Sequence, residues 1–425
     1  MSILNLSDRA THGISEILAG RKRGYLSFLF LVGPALIAAV AYVDPGNFAT
    51  NIEAGSKYGY SLLWIVLLAN VIAMLFQAMA AKLGIITNKN LAQLCREHFR
   101  PSVVIAMWII SEIAAIATDL AEFIGGAVGF SLLFNFPLMV GMIITALITC
   151  AILWLERYGF RAMEIIVGLF VSIICLCYLL ELFITPVDWA SVGLHCFKPE
   201  MPNLDALFIS VGIIGATVMP HAIYLHSGLM QDRVTASSDE QKARLVKYSN
   251  REVVVALSLA GMVNMAMVIM AAGAFHTKHT VVTGIEEAYH TLGPLLGGAA
   301  ASIFLISLLV SGVSSSVVGT MAGQLIMQGF VGFHIPVWVR RFVTMVPSFI
   351  VVALGLDATR SLVASQVVLS IALPIPMLAL CYFAGSRKIM GAFVNRPFLK
   401  LIALIATALI LVLNFVLIWQ SLTSS

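Results

Sequence analysis

The sequence predicts an all-α integral membrane protein with eleven transmembrane helices, arranged as two inverted repeats of five helices followed by one more. Three observations predict it. The 425 residues are 60% hydrophobic and only 11% charged, with a mean hydropathy of +0.98, whereas a soluble domain carries roughly 25% charged residues. Lys and Arg collect in every second connection between apolar stretches. Two apolar stretches, five spans apart, are interrupted near their middles by a proline.

A spanning helix needs about 20 mostly apolar residues. That criterion places spans at 25–54, 61–86, 102–132, 136–155, 162–185, 204–230, 252–275, 293–328, 338–355, 361–384 and 398–420. Residues 25–185 then form the first repeat, 204–384 the second, and 398–420 the additional span. Residues 1–24 are polar and mixed, with no short apolar core ahead of a small-residue cleavage site, so they are expected to be a cytoplasmic segment and not a signal peptide. The first 20 of them are expected to be mobile and partly amphipathic, without chemistry.

On this map 21 of the 25 Lys and Arg fall at the N-terminus and in alternate connections; only Lys57, Lys198, Lys278 and Arg360 fall opposite. Basic residues accumulate on the cytoplasmic side, which puts the N-terminus in the cytoplasm and the C-terminus outside. A missed span would invert the tally for everything beyond it. The net charge of +4 therefore reports topology and not nucleic-acid binding. The six cysteines lie mostly in apolar spans without metal-ligand spacing and are read as packing residues.

Span 1 contains "VAYVDPGNFATN" (40–51), which sets Asp44, Pro45, Gly46 and Asn47 in the middle of a membrane helix. Span 6, "GIIGATVMPHAIYLHSG", is interrupted by Met219, Pro220 and His221. Five is odd, so two spans five apart cross in opposite directions, the geometry of an inverted repeat. A proline inside a helix leaves carbonyls upstream of it without partners, and in hydrocarbon such groups are tolerated only where they line a cavity or coordinate something. One proline kink is ordinary. Two at matched positions, flanked by Asp and Asn in one case and Met and His in the other, define a candidate site.

A carboxylate at the bilayer centre costs at least about 2.5–3.5 kcal/mol, so Asp44 needs a cation or a proton. Its neighbours as candidate ligands are the Asn47 amide oxygen, the Met219 thioether and freed carbonyls near Ala41 and Ala216. Oxygen ligands alone suit Mg²⁺ or Ca²⁺, whereas a thioether biases a site toward softer transition metals. Methionine is also common filler, and the chain has 19; Met219 differs in standing immediately before the break proline.

"DPGNFATNI", "ATDLAEFIGGAVG" and "GATVMPHAIYLHS", in that order and spacing, closely resemble the Nramp family of proton-coupled divalent metal transporters, and the likeness runs from "GPALIAAVAYVDPGN" to "PSFIVVALGLDATRSLVASQ". The resemblance implies a LeuT-type fold, as the span count and matched breaks already suggest. It implies that Asp44, Asn47, Met219 and the Ala216 carbonyl hold the metal, with the Ala41 carbonyl and Gln366 of span 10 joining in some states. Family members that carry magnesium or aluminium lack this methionine, so its presence here points away from those ions.

Span 3 carries Glu112, Asp119 and Glu122; offsets of 7 and 10 place them on one stripe within an arc of about 80°. Three carboxylates cannot face lipid, so the stripe faces the bundle interior. Arg340 and Arg341 read from sequence alone as cytoplasmic anchors; the resemblance instead implies a salt-bridge chain with these acids that carries protons to the cytoplasm. His221, beside the broken backbone, is the candidate for proton exchange near neutral pH. His226 is read chiefly as a satisfied core histidine and stands behind His221 in the proton pathway. Asp44 itself is a proton acceptor that arriving metal would discharge.

The remaining stretches are read more plainly. "QDRVTASSDEQKARLVKYSNRE" (231–252) is expected to be a charged cytoplasmic loop with a short solvated helix, and His276, His279, Glu286, Glu287 and His290 a solvated external loop. Small residues in "SGVSSSVVGTMAGQ" permit close helix packing.

The resulting expectation is a proton-coupled importer of Mn²⁺, with Fe²⁺ and Cd²⁺, in the plasma membrane of a bacterium, working as a monomer by alternating access. It needs no cofactor and no nucleic acid; its partners are metal ions, protons and the bilayer. The alternatives are a sodium-coupled amino-acid symporter on the same fold and a divalent cation channel. No nucleophile, phosphate loop or soluble catalytic domain suggests an enzyme.

Overall fold

The computed structural model describes residues 33–154, 160–231, 238–282, 284–332 and 336–423. The expectations for 1–24, for the start of span 1, and for Arg157 and Arg233 lie outside the described residues. Every regular element among those described is helical.

The chain begins with α1 (Pro34–Val40), passes through a 3₁₀ turn (Ala41–Val43), becomes extended at Asp44 (φ −87°, ψ 167°) and restarts as α2 (Pro45–Tyr58). Proline fits the first position of α2 because an N–H there has no helical partner and its φ is preset. The first half continues with α3 (Leu63–Thr87), α4 (Leu91–His98), α5 (Pro101–Phe134), α6 (Leu138–Trp154), α7 (Phe160–Ile184) and α8 (Trp189–His195). A second interrupted helix follows: α9 (Leu204–Thr217), a non-helical Val218 and an extended Met219, then α10 (Pro220–Met230). Beyond it lie α11 (Asp239–Ala274), α12 (Ile285–Leu296), α13 (Gly298–Val331), α14 (Val337–Ala353), α15 (Ala358–Ala372) and α16 (Pro374–Gly385). The short α17 (Arg387–Met390) leads to α18 (Pro397–Thr423).

Among the described residues eight helical stretches are long and apolar enough to cross a membrane; Pro34–Val43 and Leu138–Trp154 are apolar but shorter. The stretch Leu204–Met230 has 89% of its apolar window buried and Pro397–Val416 only 28%. The second broken helix is thus central, and α18 is peripheral with Leu401, Leu404, Ile405 and Val412 turned outward.

The densest helix pair is α5 with α13, and small residues explain it. A methyl group on Gly312 would stand 2.4 Å from the Gly126 backbone nitrogen, so only glycines let the two backbones approach this closely. Ser307, Ser311, Ser314 and Ser315 of the same stretch are fully buried, each hydroxyl donating to a backbone carbonyl.

Four features differ from the sequence reading. The charged segment before span 7 is not a loop with a separate helix: from Asp239 it is the start of the 36-residue α11. The Ser238 hydroxyl caps it by accepting from Gln241 N at 3.2 Å, and Asp239 and Glu240 favour the positive helix end. The external histidine and glutamate segment is not simply a solvated loop, because Ile285, Ala288 and Leu292 bury one face of α12. That helix also contains residue 293, so the next span starts at Gly298, after Gly297 at φ 96°. Finally, span 10 is itself kinked where α15 meets α16 at Pro374.

Candidate transport site

Proline arithmetic identifies the carbonyls that the two breaks release. Pro220 has no N–H for the carbonyl four residues back, that of Ala216, and Pro45 has none for Ala41. The Ala216 carbonyl accepts instead from Asn47 Nδ2 at 2.9 Å. The same Nδ2 lies 2.5 Å from Asp44 Oδ1. A carboxylate oxygen of one broken helix and a freed carbonyl of the other therefore converge on a single side-chain atom.

Asp44 caps α2, its carboxylate accepting from Gly46 N at 3.1 Å and Asn47 N at 2.9 Å. These N–H groups and the helix N-terminus offset part of the desolvation of the anion. Ser311 Oγ donates to the Val43 carbonyl at 2.5 Å, and Asn264 Nδ2 to that of Tyr42 at 2.8 Å. The 3₁₀ turn is thus held from α13 and α11.

Gln366 of α15 joins the group. A methyl on Gly46 would meet Gln366 Nε2 at 2.0 Å and Asp44 Oδ2 at 2.8 Å, so glycine is what admits both side chains. Gln366 is fully buried and its Oε1 has no hydrogen-bond partner. Met219, also fully buried, begins α10 in extended conformation with no capping bond from its side chain. Ala41 is buried at the first break. Asn47 joins Asp44 to Ala216, and Gln366 lies against Gly46 beside Asp44; Met219 and Ala41 sit in the same two breaks.

The kink at Pro374 is a useful contrast. It frees the Ser370 carbonyl, but Asn414 Nδ2 of α18 donates to that oxygen at 2.6 Å while Ser370 Oγ donates to Asn414 Oδ1 at 2.7 Å. The same backbone defect is closed there by a side chain from a peripheral helix.

Polar groups lead from the breaks along α5. His221 Nδ1 is 3.1 Å from Thr118 Oγ1, whose hydroxyl lies 3.0 Å from the Ala114 carbonyl. With that hydroxyl donating to the carbonyl, Nδ1 carries the imidazole proton and Nε2 presents a lone pair. Next along α5, Glu122 is fully buried, within electrostatic reach of Asp44, Asp119 and Arg341. A methyl on Gly319 would stand 2.5 Å from its Oε2. Asp119, also buried, lies within electrostatic reach of Arg340, Arg341 and Glu112.

Arg340 and Arg341 are buried, not solvated anchors. Arg340 pairs with Glu112 Oε2 at 3.2 Å, and Glu112 also accepts from Trp108 Nε1 at 3.1 Å. Arg341 donates to Thr320 Oγ1 and Ser316 Oγ and packs its guanidinium 5.2 Å from the Phe123 ring centre. His226 is held in the core by Gln77, with Nδ1 at 2.8 Å from Gln77 Oε1, and Gln77 Nε2 donates to Tyr42 OH at 2.5 Å.

The sequence reading missed Thr118, Thr217, Gln77, Tyr42, Asn264 and Ser311, all of which touch the breaks or their histidines. Their signal was weak: each is a neutral polar group inside an apolar span, and the partner that gives it a role is distant in sequence.

Two interrupted helices in a helical membrane bundle, with a carboxylate and a freed carbonyl converging between them, are the architecture of a membrane transporter. The family described as natural resistance-associated macrophage protein-like, Nramp, matches residues 35–420. This chain belongs to the Nramp family. It is 61% identical to the divalent metal cation transporter MntH of Granulibacter bethesdensis over 98% of this chain and 94% of that protein. It is similar to the crystal structure of the Eremococcus coleocola manganese transporter in complex with an aromatic bis-isothiourea substituted compound, with TM-score 0.84, 32% identity and coverage of 93% of this chain and 88% of that one. The fold is shared with Mhp1, a nucleobase-cation-symport-1 family transporter, at TM-score 0.61 and 13% identity over 92% and 93% of the two chains. The chain is a transport protein of LeuT-type fold and not an enzyme.

Proposed function

We propose that this protein imports divalent transition metal ions, chiefly Mn²⁺ and also Fe²⁺ and Cd²⁺, together with protons, across the plasma membrane of a bacterium. The observation that carries the reading is the convergence of Asp44 Oδ1 and the Ala216 carbonyl on Asn47, 2.5 and 2.9 Å from one amide nitrogen. Asp44 supplies charge, Ala216 and Gln366 supply oxygen, and Met219 supplies the sulfur that separates transition metals from Ca²⁺ and Mg²⁺. Relatives named as divalent metal cation transporters and a manganese transporter support the substrate class.

Transport proceeds by alternating access, with the broken helices rocking against a scaffold that includes α5 and α13, in a monomer. The bundle has eleven crossings in two inverted five-helix repeats and one further span, with the N-terminus in the cytoplasm and the C-terminus outside. Protons leave the metal site through His221 and Thr118 or through Glu122, and pass by Asp119, Arg341, Arg340 and Glu112 to the cytoplasm.

An amino-acid symporter fits less well. It would offer a helix N-terminus to the substrate carboxylate, whereas Asp44 already occupies the N–H groups of Gly46 and Asn47. The experiment is uptake by proteoliposomes loaded with a metal-sensitive dye, run with Mn²⁺, Cd²⁺, Ca²⁺ and Mg²⁺. Entry of Mn²⁺ and Cd²⁺ with exclusion of Ca²⁺ and Mg²⁺ supports the reading; equal entry of all four contradicts it.

A further inference from the structure

Away from the broken helices, a cavity of about 280 Å³ opens between α3, α16 and α18, lined by Met79, Leu378, Cys381, Tyr382, Asn395 and Lys400 with Ala403 and Leu404. It lies at the end of the bundle where the basic residues collect. Its lining carries one ammonium group, that of Lys400, and one buried amide, that of Asn395, and a second ammonium group, that of Lys82, stands behind the amide. Lys82 Nζ contacts Asn395 Oδ1, and Lys400 Nζ donates to the Gly385 carbonyl at 2.7 Å. Both ammonium groups therefore rest on neutral oxygens. The sequence contains no Asp or Glu after Asp357 and none in α3, while Arg387, Lys388 and Arg396 add exposed positive charge to the same connection.

Asn395 supplies an independent observation. It is only 3% exposed, and its Nδ2 is buried without a hydrogen-bond acceptor. Lysine is a donor only, so the contact from Lys82 fixes the amide with Oδ1 toward the ammonium and Nδ2 turned away. A buried N–H₂ with no acceptor is unfavourable by itself; beside two uncompensated ammonium groups it asks for an anionic oxygen. The other walls are apolar, and Leu378, Tyr382, Phe398 and Leu404 are exposed on the bundle surface around the opening, a surface that acyl chains cover.

We propose that this cavity binds the phosphate headgroup of an anionic phospholipid of the cytoplasmic leaflet, held by Lys400 and Asn395 with the charge of Lys82 behind the amide, and with its chains lying along α16 and α18. Free phosphate shares the headgroup chemistry but has nothing to place on the apolar rim, and the bilayer supplies lipid at high local concentration. Bound there, the lipid links α18 to α3 and to α16, the helix that follows the Pro374 kink.

The test is native mass spectrometry of the full-length protein in detergent, titrated separately with phosphatidylglycerol, phosphatidylcholine and inorganic phosphate. Wild-type protein should retain phosphatidylglycerol roughly tenfold more tightly than phosphatidylcholine, because each lysine near a headgroup contributes appreciably. The Lys82→Gln/Lys400→Gln pair should lose that preference. A control pair with the same loss of charge, Lys247→Gln/Arg251→Gln on the exposed start of α11, should keep it. If the first pair fails to insert, Lys400→Gln alone, at a partly exposed position, should lower the preference about threefold. Equal retention of the two lipids by wild type, an undiminished preference in the lysine variants, or phosphate binding without phosphatidylglycerol binding would each overturn the proposal.

Discussion

Asn47 donates its side-chain amide to the backbone carbonyl of Ala216 at 2.9 Å, joining the first broken helix to the second. A divalent cation draws on lone pairs, so in the proposed site it would compete with this nitrogen for Ala216 O and Asp44 Oδ1. Turning the amide over would present Oδ1 to the ion instead. Thr217 Oγ1, which donates to that oxygen at 3.1 Å, accommodates the turn because a hydroxyl accepts as readily as it donates.

Charge and neutral ligation separate in mutants of this pair. Asp44→Asn should weaken Mn²⁺ binding on the order of 100-fold or more, since it removes the charged member of a desolvated pair. Asn47→Ala, which removes a neutral group, should weaken it about tenfold. Isothermal titration of Mn²⁺ into purified, folded protein measures both; near-wild-type affinity in Asp44→Asn would remove Asp44 from the site.

Gly46 tests whether Gln366 must lie against Asp44. A methyl there meets Gln366 Nε2 at 2.0 Å, so Gly46→Ala must push the glutamine aside, and Mn²⁺ uptake should fall roughly tenfold. The overpacking should also lower the melting temperature by a few degrees, so uptake is to be compared at equal amounts of folded protein. Unchanged uptake would mean that Gln366 takes no part.

In the proposed pathway the acids of α5 carry protons. Glu122→Gln should alter the pH dependence of transport, or the proton flux, while leaving Mn²⁺ affinity within about threefold, a change of under 1 kcal/mol. A collapse of affinity with an unchanged pH profile would place Glu122 in the metal site.

In the proposed site, Met219→Ala would replace a soft ligand with space for water, a hard oxygen donor. Ca²⁺ and Mg²⁺ should begin to compete with Mn²⁺ uptake, and Cd²⁺ should lose more affinity than Mn²⁺ does. Competition assays in matched proteoliposomes check this; unchanged Cd²⁺ affinity with continued exclusion of Ca²⁺ and Mg²⁺ would return Met219 to a packing role.

The kink at Pro374 supplies the opposite expectation. Asn414→Leu leaves the Ser370 carbonyl without its donor, and interhelical hydrogen bonds in membranes contribute about 0.5–1.5 kcal/mol. The melting temperature should drop while Mn²⁺ affinity stays the same. Lost affinity at constant stability would make this kink part of the site.

Both breaks were legible because a proline names the carbonyl it releases: Pro45 points to Ala41 and Pro220 to Ala216. The acidic stripe was legible because helical spacing puts Glu112, Asp119 and Glu122 on one face. Arg340 and Arg341 were not, since two arginines near a span end look alike whether they anchor in headgroups or fold inward; only the packing of α14 on α5 decides. Thr118, Gln77 and Asn264 were missed for a related reason. A neutral polar residue in an apolar span breaks no pattern, and its partner stands more than 100 positions away. Pro374 was visible but unflanked by charge, and the residue that closes its kink, Asn414, belongs to a helix outside the repeats.

Metal and protons are proposed to move together through the site between the broken helices. Proteoliposomes carrying an internal pH dye, given Mn²⁺ outside under an inside-negative potential, test it most directly. Luminal acidification that follows Mn²⁺ entry, and that disappears with metal uptake in Asp44→Asn, is the predicted result. Mn²⁺ entry without acidification would contradict coupling and leave a channel as the better description.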